Sequence, residues 1–531
     1  MALLGRNLLI GAALAVASDV LGAQAAAKAS ACDIGDAMKG NTARAALAFD
    51  VARQATGSPI AATNLRNAVK MVESPEKSGD EPVARAYILG EALSLWLNQP
   101  GTGAMAKRRD LGFTTNPDAT IDIVGALDSA FRIVEAAKPL CVENTSFYRG
   151  GHKYYLDIAN GAINSLNADK LDSAEYYATQ ANRLYPASPY GMMVLGSVAS
   201  KRNDNAKALE YWMRAADVAG RDTNYRDVRR QMLANAGNVY LNTAQSAAAA
   251  DRAAAARKAA EVYGQLVATP GTKGSYLFGG RQNYQTALLL AGDTAAFVKS
   301  YEGLIANPGS YEYQDLLNSA VNAARSNRSV DAARLFEGTL AQNPFNRDAL
   351  FNLAVTYLTL EQNDKVTPIV MRLIAVDPAN PENYNLGARA YLSMAKTAQQ
   401  AKRTAVAAAY NDSTLIWYTK GSKLPIEVTF TEFSPTENQI VVGGTILDRR
   451  DKMNAEASTA RPVRGKPAVK PPAASMAPKA VTLKFDALDK AGAVIGSSSL
   501  TSEALSPGKT ASFTVKIAAA SAIAYRYSIV E

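Results

Sequence analysis

A 34-residue echo runs through the chain and limits what it can fold into. Ala162, Ala174, Ala181 and Pro186 return 34 positions later as Gly196, Ala208, Ala215 and Gly220, and Pro344 and Tyr357 return as Pro378 and Tyr391. A fixed period of this length implies stacked helical hairpins rather than one closed catalytic fold. Each hairpin buries its apolar side against the next, and the stack offers the remaining surface to something else.

The echoing residues are the ones on which helical hairpins depend. Ala162, Ala174, Ala178 and Ala181, then Gly196, Ala208, Trp212 and Ala215, fill matching positions of two successive units. Pro186 ends a second helix, since proline lacks a donor and clashes with the preceding turn. Ile158, Met192 and Leu195 complete the first two units, and Ala332, Phe336, Thr339 and Pro344, then Leu350, Leu353, Ala354, Tyr357 and Pro378, then Tyr384, Ala388 and Tyr391, carry the later ones. This pattern resembles the tetratricopeptide repeat over about 250 residues. Around Leu233–Tyr240 the register loosens, because an alanine-rich stretch (AAAADRAAAA) delays the partner helix near Ala259 and Tyr263.

The resemblance implies a mainly α fold, a solenoid whose first helices line a concave, protein-binding groove. The residues it places there are Asn160, Asn167, Tyr190, Met193, Ser197, Lys201, Phe351, Asn352, Val355, Asn385 and Arg389. Aromatic, amide and weakly basic side chains of this kind suit an extended or helical peptide.

With 531 residues the chain holds several units. Residues 1–25 read as an export signal: Arg6, then the ten-residue apolar core Leu8–Ala17, then Ala23-Gln24-Ala25 at a small-x-small cleavage site. Residues 26–150 read as a helical region of degenerate hairpins or a cap, and 151–423 as the repeat array. In an oxidising envelope the two cysteines, Cys32 and Cys141, form a natural disulfide pair. The run Ala29-Ser30-Ala31-Cys32 leaves lipidation of Cys32 as an alternative.

After Gly421-Ser422-Lys423-Leu424-Pro425 the chain changes character. Apolar and polar residues alternate in Ile426–Phe430, Ile440–Leu447, Val481–Leu488, Ala493–Leu500, Ser512–Ile517 and Ala524–Ile529. Short alternating segments of this kind predict an antiparallel β-sandwich over 424–531. Phe485, Leu488 and Asp489, with the later Leu505-Ser506-Pro507-Gly508 and Phe513, resemble the motif of small bacterial FxLYD domains, although Asp489 directly follows Leu488 and the motif tyrosine is missing. Between the second and third strands, 449–479 is rich in Pro, Ala and Lys and is expected to be a mobile loop. It carries eight Lys/Arg against two acids, or +6 of the net +9. The rest is near balance, which argues against a nucleic-acid stripe.

Catalytic signatures are thin. A single histidine, His152, excludes multi-histidine metal sites, and two distant cysteines exclude a zinc ribbon. Gly274–Gly279 has the glycine spacing of a phosphate loop, but Gly280-Arg281 stands where Lys-Ser/Thr is required. The sequence therefore predicts no catalytic, cofactor or metal residues. It points to a non-enzymatic scaffold or adaptor of the bacterial envelope, periplasmic or envelope-associated, that binds a protein or peptide partner and no nucleic acid. Two alternatives stand beside it: a protein whose basic loop and sandwich meet anionic lipid or cell-wall polymer, and an envelope hydrolase with an unrecognised site.

Overall fold

Alanine and glycine at helix crossings set the spacing within hairpins. The structure, a computed structural model, describes residues 32–34, 38–78, 81–150, 153–453 and 476–530. The expected leader at 1–25, His152 and the middle of the basic segment at 454–475 lie outside the described residues.

The N-terminal region forms α1 (Gly40–Gln54), α2 (Pro59–Val72), α3 (Pro75–Ser78), α4 (Pro82–Leu97), β1 (Met105–Lys107), α5 (Arg108–Leu111), β2 (Thr120–Asp122), α6 (Ile123–Ala137) and α7 (Val142–Gly150). The array follows as α8 (Lys153–Asn167), α9 (Leu171–Leu184), α10 (Tyr190–Lys201), α11 (Asn205–Ala219), α12 (Arg226–Ser246), α13 (Ala249–Ala268) and α14 (Ser275–Ala291). It continues with α15 (Thr294–Ala306), α16 (Tyr313–Arg325), α17 (Ser329–Gln342), α18 (Arg347–Thr359), α19 (Asn363–Val376), α20 (Pro381–Gln400) and α21 (Thr404–Ser422). Among the described residues six strands follow: β3 (Ile426–Pro435), β4 (Gln439–Asp448), β5 (Thr482–Leu488), β6 (Val494–Thr501), β7 (Thr510–Ala518) and β8 (Ala524–Val530). The protein is thus a mainly helical, tetratricopeptide-like array with C-terminal antiparallel sheets. It divides into two compact units, residues 1–246 with 261–272, and residues 247–260 with 273–531.

In the first unit α4 is the central helix. Twelve of its sixteen residues are buried, all apolar but Glu91 and Ser94, as a nearly surrounded helix requires, and Ile88, Ala92 and Leu93 are completely buried. Cys32 and Cys141 form a disulfide that joins the chain ahead of α1 to the turn before α7. Within this otherwise helical region β1 and β2 form a short antiparallel ribbon, Met105 opposite Asp122. Three-residue strands are too short to leave a period-2 pattern in the sequence.

The hairpins α8/α9 and α10/α11 place Ala162, Ala174, Ala178, Ala181, Ala208 and Ala215 at helix crossings, each at most 1% exposed. Gly196 faces the Trp212 ring so closely that a Cβ would lie 2.5 Å from it. The turns between paired helices are periodic too. Asp169 (φ 57°) and Asn203 (φ 63°) are left-handed and 203 − 169 = 34 apart; Asn327 (φ 61°) and Glu361 (φ 58°) are left-handed and 361 − 327 = 34 apart.

In the second unit the strands form two three-stranded antiparallel sheets, β3-β4-β7 and β6-β5-β8. They share one core that includes Val428, Val442, Phe485, Phe513, Val515 and Tyr527. Asp489 shapes the β5–β6 turn by accepting from Ala491 N at 2.9 Å and Ala493 N at 2.8 Å. The sheets are fastened to the helices. The Tyr527 hydroxyl bridges Asp377 and Ala379, and Asn343 Nδ2 donates to Ile523 O at 3.0 Å. Arg347 lies 4.6 Å over the Phe430 ring.

The basic segment is anchored at both ends. Arg449 donates to Gly421 O at 3.1 Å, at the C-terminus of α21, and Arg450 Nη2 donates to Asp448 Oδ2 at 2.6 Å and to Leu505 O at 3.1 Å. Both arginines are buried, so two of the eight charges assigned to a mobile loop belong to the fold. At the other end Lys479 forms a β-bridge with Leu505.

Candidate functional site: a tyrosine-rimmed cleft

The groove residues expected from the repeats have mixed fates. Met193 is a correction: it is 3% exposed and belongs to the core. Eight of the twelve residues of α10 are buried, Met193 among them, because α8, α9, α11 and α12 all pack against this helix. Asn160, Ser197, Phe351 and Asn352 are half-buried on their helices. Two of them are turned onto their own backbone: Ser197 Oγ donates to Met193 O at 2.9 Å, and Asn352 Nδ2 to Asp348 O at 2.8 Å. Lys201 is tied to Asp169 at 2.8 Å. Asn385 and Arg389 come together in a cleft between α20 and α21.

Tyr190 leads to a surface that the repeat pattern did not indicate. Its ring meets Tyr225 edge-on with centroids 5.7 Å apart, and Tyr155 meets Tyr185 in the same way at 5.4 Å. The Tyr155 hydroxyl hydrogen-bonds Ser188, which also bonds Tyr225. This packing sets Tyr185 and Tyr225 on the rim of a cleft of about 470 Å³, together with Pro186, Val218, Arg149 and Arg221. The tyrosines come from turns: Tyr185 follows α9, and Tyr225 closes the 3-10 turn Thr223–Tyr225 ahead of α12.

One wall of the cleft is a buried charge network. Arg149, 3% exposed, donates to Asp128 Oδ1 at 2.7 Å and to Glu135 Oε1 at 3.3 Å. Thr145 donates to the same Glu135 oxygen at 2.7 Å. A buried guanidinium held by two carboxylates is rigid, because releasing either partner strands a charge. Burial pushes the Tyr185 phenol up to about 12 and raises Tyr225 and Tyr190 as well, so all three are neutral at physiological pH. The rim thus offers phenol rings, hydroxyl groups and the exposed Arg221 over a fixed floor. Tyrosine and arginine are the side chains that most often anchor protein contacts.

The sequence carried a signal for this cleft that the repeat register hides. Tyr155, Tyr185, Tyr190 and Tyr225 recur through two hairpins, but two of them lie in turns, where no helical period can mark them. Among the described residues no group of three or more His, Cys, Asp or Glu is arranged to hold a metal ion.

No protein-family model matches the chain, and no curated protein matches it. Among solved structures it is similar, at low identity, to several proteins. A tetratricopeptide repeat protein from Parabacteroides merdae is 14% identical with a TM-score of 0.29, over 49% of this chain and 98% of that one. The assembly chaperone of RpL4, Acl4 (residues 1–338), is 16% identical with a TM-score of 0.26, over 47% and 99%. The TPR domain of P58(IPK) is 10% identical with a TM-score of 0.21, over 72% and 89%.

Proposed function

We propose that the chain is a non-enzymatic protein-binding scaffold, exported to the bacterial envelope by its N-terminal leader, which grips a partner segment in the tyrosine-rimmed cleft. One observation carries the reading: Tyr185 and Tyr225 stand on the rim over the buried Arg149 network, so anchors and floor are fixed before a partner arrives. Side chains ordered in advance reduce the entropic cost of association. Burial of Arg449 and Arg450 weakens the rival reading of a free cationic loop on lipid or polymer.

Affinity capture from envelope extract, with the full exported chain and with Tyr225→Ala, tests it at low and high salt. Loss of the captured protein in the variant at both salt concentrations supports the cleft. Equal recovery by the variant, or capture that salt alone abolishes, overturns it.

A further inference from the structure

The last hairpin of the array leaves a seat open. Of the nineteen residues of α21, three (Ala407, Trp417 and Gly421) are buried. Its sequence is nevertheless apolar on several sides, and Leu415, Ile416 and Tyr418 are 61%, 56% and 52% exposed. In α17, the second helix of an interior hairpin, half of the fourteen residues are buried. Leu415 and Tyr418 of α21, with Glu382, Asn385, Arg389 and Leu392 of α20, line a cleft of about 560 Å³.

The rest of the array shows what fills such a cleft. α10 packs against both helices of the α8/α9 hairpin, and α20 against both helices of α18/α19. In each case the occupant is a helix that buries an apolar stripe. After α21 the chain turns into β3 at Ile426, so the segment that follows supplies no such helix. The 454–475 segment is unsuited by sequence, with four Lys/Arg against one acid and prolines at 462, 467, 471 and 472.

Charge narrows the occupant further. Between Pro381 and Lys423 six basic residues (Arg389, Lys396, Lys402, Arg403, Lys420 and Lys423) face two acids, Glu382 and Asp412, a balance of 6 − 2 = +4. Basic residues stand at both ends of α21. A second copy laying its own α21 in the cleft brings Lys402 and Arg403 against Lys420 and Lys423 if antiparallel, and like against like if parallel. Both arrangements are repelled. A helix with acids at both ends is attracted.

We propose that the α20/α21 cleft is a docking seat for an amphipathic helix of another protein, one that carries an apolar stripe and acidic residues at its two ends, and so continues the helical stack. The seat belongs to different helices from the tyrosine cleft, and its test does not depend on that reading.

The probe is a fluorescein-labelled twenty-residue synthetic helix, the length of α20, with leucines at alternating three- and four-residue spacing and glutamates at both ends. A counterpart with lysines at both ends is the control. The full chain is expected to bind the glutamate-ended peptide at least about tenfold more tightly than the control. Leu415→Asp and Tyr418→Ala, both at exposed positions, are expected to weaken that binding at least about tenfold with melting temperatures unchanged. Three results overturn the proposal: equal affinity for the two peptides, affinity unaffected by both substitutions, or a concentration-dependent dimer in sedimentation that Leu415→Asp abolishes, which gives the seat to a second copy.

Discussion

The Tyr527 hydroxyl donates to Asp377 Oδ1 at 2.7 Å and accepts from Ala379 N at 3.0 Å, so one phenol near the C-terminus joins the last strand to the turn between α19 and α20. Tyr527 is 3% exposed and its ring also packs on Phe430 and Phe485. Burial, with the Asp377 charge beside it, raises its pKa well above the usual phenol value and keeps it a donor. The sheets are therefore part of the second unit and not a module on a tether. Tyr527→Phe keeps the ring and strands two buried groups, which is expected to cost about 1–3 kcal/mol. Denaturant unfolding checks the loss, and hydrogen exchange at the Ala379 amide locates it. Unchanged exchange at Ala379 would show that the bridge does not hold the turn.

Gly196 and Trp212 test the hairpin spacing. A Cβ at Gly196 meets the indole at 2.5 Å, whereas a Cβ at Gly279, inside α14, meets nothing within 4 Å. Gly196→Ala is therefore expected to destabilise by about 1–3 kcal/mol through overpacking. Gly279→Ala is expected to stabilise by about 0.5–1 kcal/mol, because alanine loses less entropy in a helix. Thermal melts of the two variants should move in opposite directions, and a shift of the same sign in both contradicts the account.

These residues also show what the sequence discloses. Ala162, Ala174, Gly196 and Ala208 obey a period, because each does the same steric work in each hairpin. The strands at Ile440–Leu447 and Ser512–Ile517 lie within β4 and β7, since one buried face imposes alternation. The left-handed turn residues share the 34-residue spacing, yet Glu361 occupies a site where Asn or Gly is expected, so residue type alone hides it. Met193 misleads because a repeat position fixes a direction on one helix, while the neighbouring helices decide whether that direction is open. Tyr185 and Tyr225 reach one cleft from separate turns, and Tyr527 reaches Asp377 across 150 positions, and neither relationship leaves a local mark.

The Cys32–Cys141 disulfide closes a loop of 109 residues ahead of α7. In the chain-entropy account such a bridge stabilises by up to about 4–5 kcal/mol, and native strain reduces this. Reduction is expected to lower the melting temperature of the first unit. Limited proteolysis with and without reductant reads the effect, with new cleavage expected between Cys32 and Phe49. An identical digestion pattern in both conditions would remove the bridge from the account of stability.

Glu91 makes the first unit sensitive to pH. It lies in α4, 6% exposed, and burial raises its pKa to about 7 despite hydrogen bonds from Tyr148 and Tyr87 that favour the carboxylate. In the unfolded chain the same group titrates near 4.5. Between these values the folded state holds a proton that the unfolded state has released, so stability falls as pH rises. The contribution is fully present below about pH 4.5 and lost by about pH 7, and the pKa difference corresponds to about 3 kcal/mol. Glu91→Gln cannot ionise and should be nearly flat over this window, and so more stable than the parent at pH 7.5. Unfolding free energies of parent and variant from pH 4 to 8 decide the point: parallel curves across that range would mean that Glu91 does not titrate within the fold.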